Sequence, residues 1–219
     1  MLRPAVSSPA ASRPPPPTLD GLCAPWAGAA PDPGTPAGEI PEAATAVLLA
    51  PGPGGSADPL LLLILRATHP QDPWSGQVGL PGGRRDPIDA DRLATALRET
   101  REEIGLDVPR ESAAGALDPI RALRRGVRQD LIVHPFVFRL PEAAPPGRSV
   151  EVQEARWIPV AHLLDPARAT EVDVPGGSRG VPAVSLDGWL LWGLTYRMLT
   201  DLFARSGRTL AAGPPTARG

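Results

Sequence analysis

The sequence predicts one folded domain of the α/β (α+β) class, in which helices cover a β-sheet on its two sides. Short apolar runs typical of buried strands are separated by turn-rich connectors, and two longer segments have the apolar spacing of helices. The 219 residues suit a single domain with additional chain at its ends. We therefore predict a Pro/Ala-rich flexible segment at 1–38, a folded domain at 39–206 and a flexible tail at 207–219.

The predicted sheet begins with two apolar runs at 45–52 and 59–67. The connector GPGGSAD is rich in turn-forming residues, so the two runs are expected to pair as a hairpin. Residues 76–80 are expected to form a third short strand that leads into a Gly-Gly pair. Later strands are predicted at LIVHPFVFRL and EARWIPV.

Two helices are predicted. The first runs from Asp89 to Ile104, with Asp89 or Asp91 as its N-cap and Gly105 at its end. The second covers about 190–205, where four apolar residues recur on one face: Leu191, Leu194, Met198 and Leu202.

Three glutamates share one side of the first predicted helix. At about 100° per residue, Glu99, Glu102 and Glu103 lie together, whereas the apolar residues of the helix fall on a separate face. One interpretation is a solvated acidic stripe with Arg98 and Arg101 as partial partners. The other is a site for a divalent metal ion, because hard cations such as Mg²⁺ prefer oxygen ligands. The residue pattern leaves both interpretations open.

Composition narrows the class of protein. The net charge is -2, and the 22 basic residues are all arginines scattered along the chain, which argues against a nucleic-acid-binding surface. The single cysteine, Cys23, cannot form an internal disulfide, so a reducing, cytoplasmic compartment is expected. No segment has the length and apolarity of a signal-peptide core or a membrane span, which predicts a protein without a membrane partner.

The stretch RETREEIGL resembles the signature of the Nudix hydrolases. Gly83 lies one residue farther from the arginine than that signature prescribes, and Asp89 or Asp91 stands where a glutamate is expected. We interpret these aspartates, together with Asp86, as turn and cap residues. The matching residues are Arg98, Glu99, Glu102, Glu103, Gly105 and Leu106.

The resemblance implies a Nudix-type α/β/α sandwich with a mixed β-sheet, and an enzyme that directs water at a diphosphate linkage. It implies Mg²⁺ or Mn²⁺ as cofactor, with Glu99, Glu102 and Glu103 as ligands and Arg98 orienting a neighbouring glutamate. The backbone at Gly82 and Gly83 would approach the ions and phosphates closely. The general base is left open, since members of the family often take it from a later loop. The candidates are Glu151, Glu154, Glu102 and Glu103.

An upstream element resembles the coenzyme A pyrophosphatase branch of the family. Its matching residues are Arg66, Ala67, Gly76, Gln77, Pro81, Gly82 and Gly83. The resemblance implies substrate-binding roles for Arg66, Gln77, Gly82 and Gly83, although Arg66 is equally interpreted as a strand-end charge. Two departures fall in this element: the spacing from Arg66 to Gly76 is one residue longer than usual, and Trp74 stands where the branch commonly has a basic residue or histidine.

Three functional hypotheses follow. The first is hydrolysis of coenzyme A or its acyl derivatives to 3',5'-ADP and (acyl-)4'-phosphopantetheine. The second keeps the chemistry but changes the substrate to NADH, a nucleotide sugar or a noncanonical nucleoside triphosphate. The third is a nucleotide-sensing module that does not hydrolyse its ligand. The expected partner is a small nucleotide-diphosphate substrate similar to coenzyme A, and the chain is also a candidate homodimer.

Overall fold

The computed structural model describes residues 15–28, 40–55, 58–68, 75–122, 131–174 and 177–211. A sheet of eight strands forms the centre of the fold, and a smaller sheet of three strands follows it in the chain. The strands of the large sheet are β1 Glu42–Ala50, β2 Leu60–Arg66, β3 Val78–Gly79, β4 Gly82–Arg84, β5 Ala113–Ala116, β6 Ile120–Ala122, β7 Leu131–Arg139 and β8 Val152–Pro159. Those of the small sheet are β9 Ala169–Val172, β10 Val181–Leu186 and β11 Trp189–Trp192.

The α-helices are short. Their bounds are α1 Leu19–Cys23, α2 Arg92–Ile104, α3 Val160–Leu164 and α4 Gly193–Arg205. Helices α2 and α4 each have 13 residues. None of the helices in the described part of the chain is both long and apolar enough to cross a bilayer.

The large sheet is mixed, as the sequence resemblance implied. Strand β1 pairs antiparallel with β2, which confirms the predicted hairpin, and parallel with β7. Strand β3 confirms the short strand expected at 76–80, whereas β4, at the Gly-Gly pair, was not predicted and pairs antiparallel with β1. Strand β8 lies on the other side of β2. The Gly-Gly pair is thus held in the sheet next to β1.

Helices pack on both faces of this sheet, which confirms the predicted fold class. Alternate residues of β1 point to opposite faces, so Ala46 and Leu48 lie in one apolar cluster while Val47 and Leu49 lie in the other. The first cluster contains the apolar residues of α2, and the second contains those of α4. Every residue of β1 is buried because the strand is covered from both sides.

Helix α2 is the element that carries the glutamates. Its N-cap is Asp91, whose carboxylate accepts a hydrogen bond of 2.8 Å from the amide of Ala94. The helix therefore begins three residues after the predicted start at Asp89. It ends at Gly105, which adopts a left-handed conformation with φ of +69°. Of the three residues predicted to face the core, Leu93 and Ile104 are buried, whereas Leu97 is only partly buried.

The predicted start of the last helix is wrong. Residues 189–192 form strand β11, which pairs antiparallel with β10, and the helix begins only at Gly193. Gly193 has a φ of +68°, a conformation that allows the sharp change from strand to helix. Leu191 is therefore buried from a strand, whereas Met198 and Leu202 are buried from the helix. The three-stranded sheet that contains β11 was not predicted from the sequence.

Parts of both terminal segments pack on the domain. Trp26 is buried, and its indole Nε1 donates a hydrogen bond of 3.1 Å to the carbonyl of Ala116 in β5. A Cβ on Gly115 would lie 2.1 Å from the Trp26 ring, so this glycine makes room for the indole. Near the other end, the amide of Ala211 donates a 2.8 Å hydrogen bond to Leu163 in α3. These contacts fall in segments expected to be flexible, and the boundaries at 38 and 206 stay predictions.

Candidate active site

A cavity of about 560 Å³ opens beside β3, β4 and α2, and its opposite wall comes from α4. This volume is typical of sites for small-molecule ligands. The cavity brings together seven of the residues proposed from the sequence, which come from four separate parts of the chain. They are Arg66, Gln77, Gly82, Gly83, Glu99, Glu102 and Glu151.

The two glycines bring backbone directly against the glutamates of α2. The amide of Gly82 donates a 2.9 Å hydrogen bond to Glu103 Oε2. Gly82 has a φ of +151°, and a Cβ there would lie 2.3 Å from the carbonyl oxygen of Ala44. A Cβ on Gly83 would lie 2.4 Å from the carboxyl carbon of Glu99. A side chain at Gly82 would therefore collide with β1, and a side chain at Gly83 would displace the Glu99 carboxylate.

Arg98 holds the site together from the outer side of α2. Its Nη1 donates hydrogen bonds of 2.9 Å to Glu99 Oε1 and to Glu102 Oε2. Its Nε and Nη2 donate to the two carboxylate oxygens of Asp89, at 2.9 and 3.0 Å. Its Nη2 also donates to the carbonyl of Arg84 at 3.0 Å. One guanidinium thus orients two of the three glutamates and ties α2 to the strand before it.

Asp89 is the anchor of Arg98. Its carboxylate is buried and also accepts 2.9 Å hydrogen bonds from the amide of Asp86 and from the hydroxyl of Thr95. Burial raises the pKa of Asp89, but these hydrogen bonds and the Arg98 charge outweigh it and hold the pKa below its usual range. The choice between Asp89 and Asp91 is therefore resolved: Asp91 caps the helix, and Asp89 holds the arginine.

We expect Asp89→Asn to reduce the free energy of unfolding at pH 7 by about 1–3 kcal/mol, because Arg98 loses a charged, buried acceptor. The pKa of Asp89 is lower in the folded than in the unfolded chain. Its contribution is therefore complete above the unfolded pKa of about 4 and is lost as the pH falls through the folded pKa. Urea unfolding at pH 7 and at about pH 3 should show the difference between wild type and variant shrinking with acidification.

Asp107→Asn provides the matched control for that experiment. Asp107 also pairs with an arginine of α2, Arg101 at 3.1 Å, but its side chain is 79% exposed. We expect its substitution to change the unfolding free energy by less than about 0.5 kcal/mol. Equal effects of the two substitutions at pH 7 would contradict the anchoring role of Asp89.

The three glutamates do not form a solvated stripe. Glu103 is only 3% exposed, and burial raises its pKa to about 7, although the Gly82 amide and Arg66 act in the opposite direction. Burial also raises the pKa of Glu99, against the effect of Arg98. Glu102 is 58% exposed. Arg101, proposed as a partner for the glutamates, pairs with Asp107 instead.

The donor chemistry of this cluster fits a hard divalent cation. Carboxylate oxygens are the preferred ligands of Mg²⁺, and burial raises the pKa of both Glu99 and Glu103, so a bound cation would favour their charged forms. In the described part of the chain, no three His, Cys, Asp or Glu side chains are already arranged as a metal site. Arg98 bridges Glu99 and Glu102, and both of these glutamates line the cavity. The ligand roles stay predictions.

The two candidate bases from the later loop occupy different surroundings. Glu151 lines the cavity, and its charge raises the pKa of both Glu99 and Glu103. Its carbonyl accepts a 2.8 Å hydrogen bond from Ala67, which fixes the loop to the end of β2. Glu154 lies in β8 and forms a 2.7 Å ion pair with Arg156. Of these two, only Glu151 borders the site.

The residues from the upstream element line the other side of the cavity. Arg66 ends β2, and its Nη1 lies 3.5 Å from Glu103 Oε1. Its amide donates a 3.1 Å hydrogen bond to the carbonyl of Gln77. Arg66 therefore borders the carboxylates instead of ending in bulk solvent. Trp74, which departs from the branch pattern, lies outside the described residues.

Sequence reasoning did not identify the remaining walls of the cavity. Arg84 of β4 lines it, and an apolar wall comes from β7 and α4, which were predicted only as a strand and as a helix with one apolar face. Thr45 Oγ1 donates to Met198 Sδ at 3.7 Å, which joins this wall to β1. Strand alternation could have predicted that Thr45 faces this side of the sheet. It could not have predicted that α4 packs against the same side. The apolar residues are Leu131, Val133, Leu194 and Met198.

Comparison with known proteins gives independent evidence on the family and the fold. The model of the NUDIX domain matches residues 40–175. A mitochondrial coenzyme A diphosphatase from Homo sapiens, NUDT8, is 39% identical over 123 residues, which are 55% of this chain and 50% of that protein. The uncharacterized Nudix hydrolase NudL of Salmonella paratyphi B is 32% identical over 152 residues, 68% of this chain and 76% of that protein.

Other matches are more partial. An uncharacterized Schizosaccharomyces pombe protein, C14C4.10c, is 40% identical over 121 residues, 53% of this chain and 36% of that protein. The chain thus spans between about a third and a half of the length of the yeast and human relatives. A MutT/nudix family protein from Enterococcus faecalis superposes with a TM-score of 0.50 at 18% identity, covering 72% of this chain and 52% of that one. This last match bears on the fold alone.

Proposed function

The chain belongs to the Nudix hydrolase family, and from this membership we propose that it is a metal-dependent pyrophosphohydrolase of coenzyme A or its acyl derivatives. The products would be 3',5'-ADP and (acyl-)4'-phosphopantetheine. The observation that carries the proposal is the shared cavity, where Arg66 and Gln77 of the upstream element meet Glu99 and Glu102 of the family signature. The human and mouse relatives, both named as coenzyme A diphosphatases, support this substrate.

In this proposal the carboxylates of α2 bind the cofactor. Glu99, Glu102 and Glu103 would hold Mg²⁺ or Mn²⁺, with Arg98 fixing the orientation of two of them. Such an ion, when bound, neutralises phosphate oxygens and lowers the pKa of water. Gly83 leaves open the space beside Glu99 that a side chain would fill.

The remaining groups act directly on the substrate and on water. Arg66 would bind a phosphate of the diphosphate beside the carboxylates of α2, since guanidinium groups pair well with phosphoryl oxygens. Gln77 would donate or accept a hydrogen bond at the same wall of the cavity. Glu151 would accept a proton from the attacking water, because it is the exposed carboxylate on the loop that borders the cavity.

The apolar wall supports a substrate with a bulky group beyond the diphosphate. Leu131, Val133, Leu194 and Met198 face the polar wall across a cavity of about 560 Å³. A base, or the apolar part of an acyl-pantetheine chain, would lose contact with water on this wall and gain about 25 cal/mol for each Å² buried. A diphosphate alone would leave the wall uncovered.

The test is a substrate panel. We expect the purified protein, with Mg²⁺ or Mn²⁺, to convert coenzyme A into 3',5'-ADP and 4'-phosphopantetheine, resolved by chromatography. The panel also contains acyl-CoA, NADH, a nucleotide sugar and noncanonical nucleoside triphosphates. Activity restricted to nucleoside triphosphates would refute the coenzyme A assignment but retain the chemistry. Binding of these nucleotides without turnover would favour a sensing module, which the retention of Glu99, Glu102 and Glu103 argues against.

Two further properties stay predictions. A homodimer is testable by light scattering on the purified chain. A reducing compartment is inferred from the lone Cys23, which is buried. Burial raises the pKa of this thiol, so the reactive thiolate is disfavoured. The human relative is named as mitochondrial, and that location belongs to the relative.

A further inference from the structure

The arginines that border the carboxylates differ in the contacts that they already make with acidic groups of the protein. Arg98 donates to Asp89, Glu99 and Glu102, so its guanidinium is saturated by carboxylates. Arg66 lies 3.5 Å from Glu103 and offsets the charge of that buried glutamate. Both arginines therefore compensate acidic groups of the protein before any ligand arrives.

Arg84 is in a different state. It is the last residue of β4, it lines the cavity, and its side chain is exposed. Within the described residues, its guanidinium forms no ion pair and donates no hydrogen bond. Its backbone, in contrast, is fixed, since it pairs with Ala43 and its carbonyl accepts the bond from Arg98. Arg84 thus has a fixed backbone and a guanidinium that is available to bind an anion in the cavity.

The position of Arg84 follows from strand alternation. The Cβ direction of Gly83 points to Glu99 on α2, so the next residue points to the opposite face of the sheet. That face carries Ala43 and Thr45, both of which line the same cavity. Arg84 therefore lies at the boundary between the carboxylates and the apolar wall. An anion placed beside the carboxylates, with its attached group on the apolar wall, meets this guanidinium.

We propose that Arg84 binds a phosphate of the substrate and contributes to the selection of substrates by their phosphates. This inference rests on the proposed function and deepens it. The planar guanidinium donates two parallel hydrogen bonds to a phosphoryl group, which a lysine cannot do. Either the diphosphate that is cleaved or an outlying ribose phosphate supplies this chemistry.

The kinetic test compares Arg84→Gln and Arg84→Lys with wild type on coenzyme A and on dephospho-coenzyme A. We expect Arg84→Gln to raise KM roughly tenfold or more, with little change in kcat, and Arg84→Lys to restore binding only in part. An equal rise in KM for the two substrates assigns Arg84 to the diphosphate. A rise confined to coenzyme A assigns it to the ribose phosphate. An unchanged KM for both substrates overturns the proposal.

Arg101→Gln is the matched control, because it removes the same charge from an exposed site, where the side chain is 73% exposed. We expect it to leave KM at the wild-type value. A rise in KM equal to that of Arg84→Gln would reduce the effect to net charge and overturn the assignment.

A binding experiment separates this inference from the proposed function. Calorimetry with inorganic pyrophosphate and with 3',5'-ADP, without added metal, measures anion binding whether or not the protein hydrolyses coenzyme A. We expect Arg84→Gln to weaken binding of at least one of the two probes. Wild-type binding of both probes by Arg84→Gln, or no binding by wild type, overturns the role of Arg84. If Arg84→Gln loses binding of a probe that wild type binds, and wild type does not hydrolyse coenzyme A, only the proposed hydrolysis is refuted.

Discussion

Replacement of Glu102 by glutamine is expected to lower kcat on coenzyme A by orders of magnitude, about 10²–10⁴-fold, while the fold stays intact. The neutral amide is a poorer ligand for a hard cation and cannot act as a base. The side chain is 58% exposed, and its ion pair with Arg98 has i, i+4 spacing. Loss of this pair should change the unfolding free energy by less than about 0.5 kcal/mol. Steady-state kinetics and urea unfolding measure the two quantities.

Thermal unfolding with Mn²⁺ gives a second measurement on the same variant. A ligand that binds only the folded state raises the midpoint, so we expect Mn²⁺ to raise the Tm of wild type more than that of Glu102→Gln. Glu111→Gln is the matched control, since this exposed glutamate lies in the turn after α2, away from the cavity lining. Unchanged turnover in Glu102→Gln, or equal Mn²⁺ shifts in all three proteins, would refute the proposed metal site.

Substitution of Gly83 by alanine should be nearly as damaging to activity. The added Cβ would lie 2.4 Å from the Glu99 carboxyl carbon, and contacts below 3.0 Å do not occur in real structures, so the carboxylate must move. Because Glu99 also accepts the bond from Arg98, this movement disturbs two of the three carboxylates. We expect kcat/KM to fall about a hundredfold or more. The midpoint of urea unfolding should shift only modestly, since one side chain can rotate without opening the core.

Gly79→Ala is the matched control for Gly83→Ala. Gly79 also lines the cavity, but a Cβ there would meet only Ile64 and Arg66 side-chain carbons, at 3.9 and 4.0 Å, which is ordinary contact. We expect this variant to keep most of its activity. Equal losses in the two variants would show that any added methyl group in the cavity is harmful, and the specific clash with Glu99 would be excluded as the cause.

The elements that the sequence predicted correctly are those with strong local signals. The β1–β2 hairpin has two uninterrupted apolar runs around a Gly/Pro connector, and α2 has a side-chain cap and a terminal glycine. The error of three residues at the start of α2 arose because Asp89 and Asp91 are both good caps, and only the tertiary contact with Arg98 distinguishes them. Local chemistry thus defined the element but not its first residue.

The elements that were missed depend on distant contacts. Strand β11 has the sequence WLLW and leads directly into α4. Its apolar residues continue the helical spacing upstream of Gly193, so they were predicted as part of the helix. Only the pairing with β10 makes this segment a strand. Trp26 was missed for a related reason, since its neighbours in the sequence are Pro, Ala and Gly, and the carbonyl that accepts its hydrogen bond lies 90 positions later in the chain.

The candidate site was predicted in part. The signature motif identified the glutamates of α2, because one motif contains the carboxylates, their arginine and the glycine that ends the helix. The contribution of α4 depends on tertiary packing, and no local sequence pattern predicts which helix will lie across the cavity from the Gly-Gly pair. Arg84 was likewise inconspicuous in a chain whose basic residues are all arginine. Its distinguishing property is the lack of a protein partner within the described residues, which only the folded structure reveals.

The packing of the Trp26 indole on Gly115 limits how many residues can be removed from the Pro-rich beginning of the chain. A shortened protein that started at residue 39 would lack Trp26 and Leu22, and the concave surface over Gly115 would face solvent. Strand β5 pairs with β7, and β7 contributes Leu131 and Val133 to the cavity, so the vacated surface would lie one strand away from the substrate wall. A recombinant fragment for crystallisation or assay is therefore best begun before Thr18, whose side chain caps the first helix.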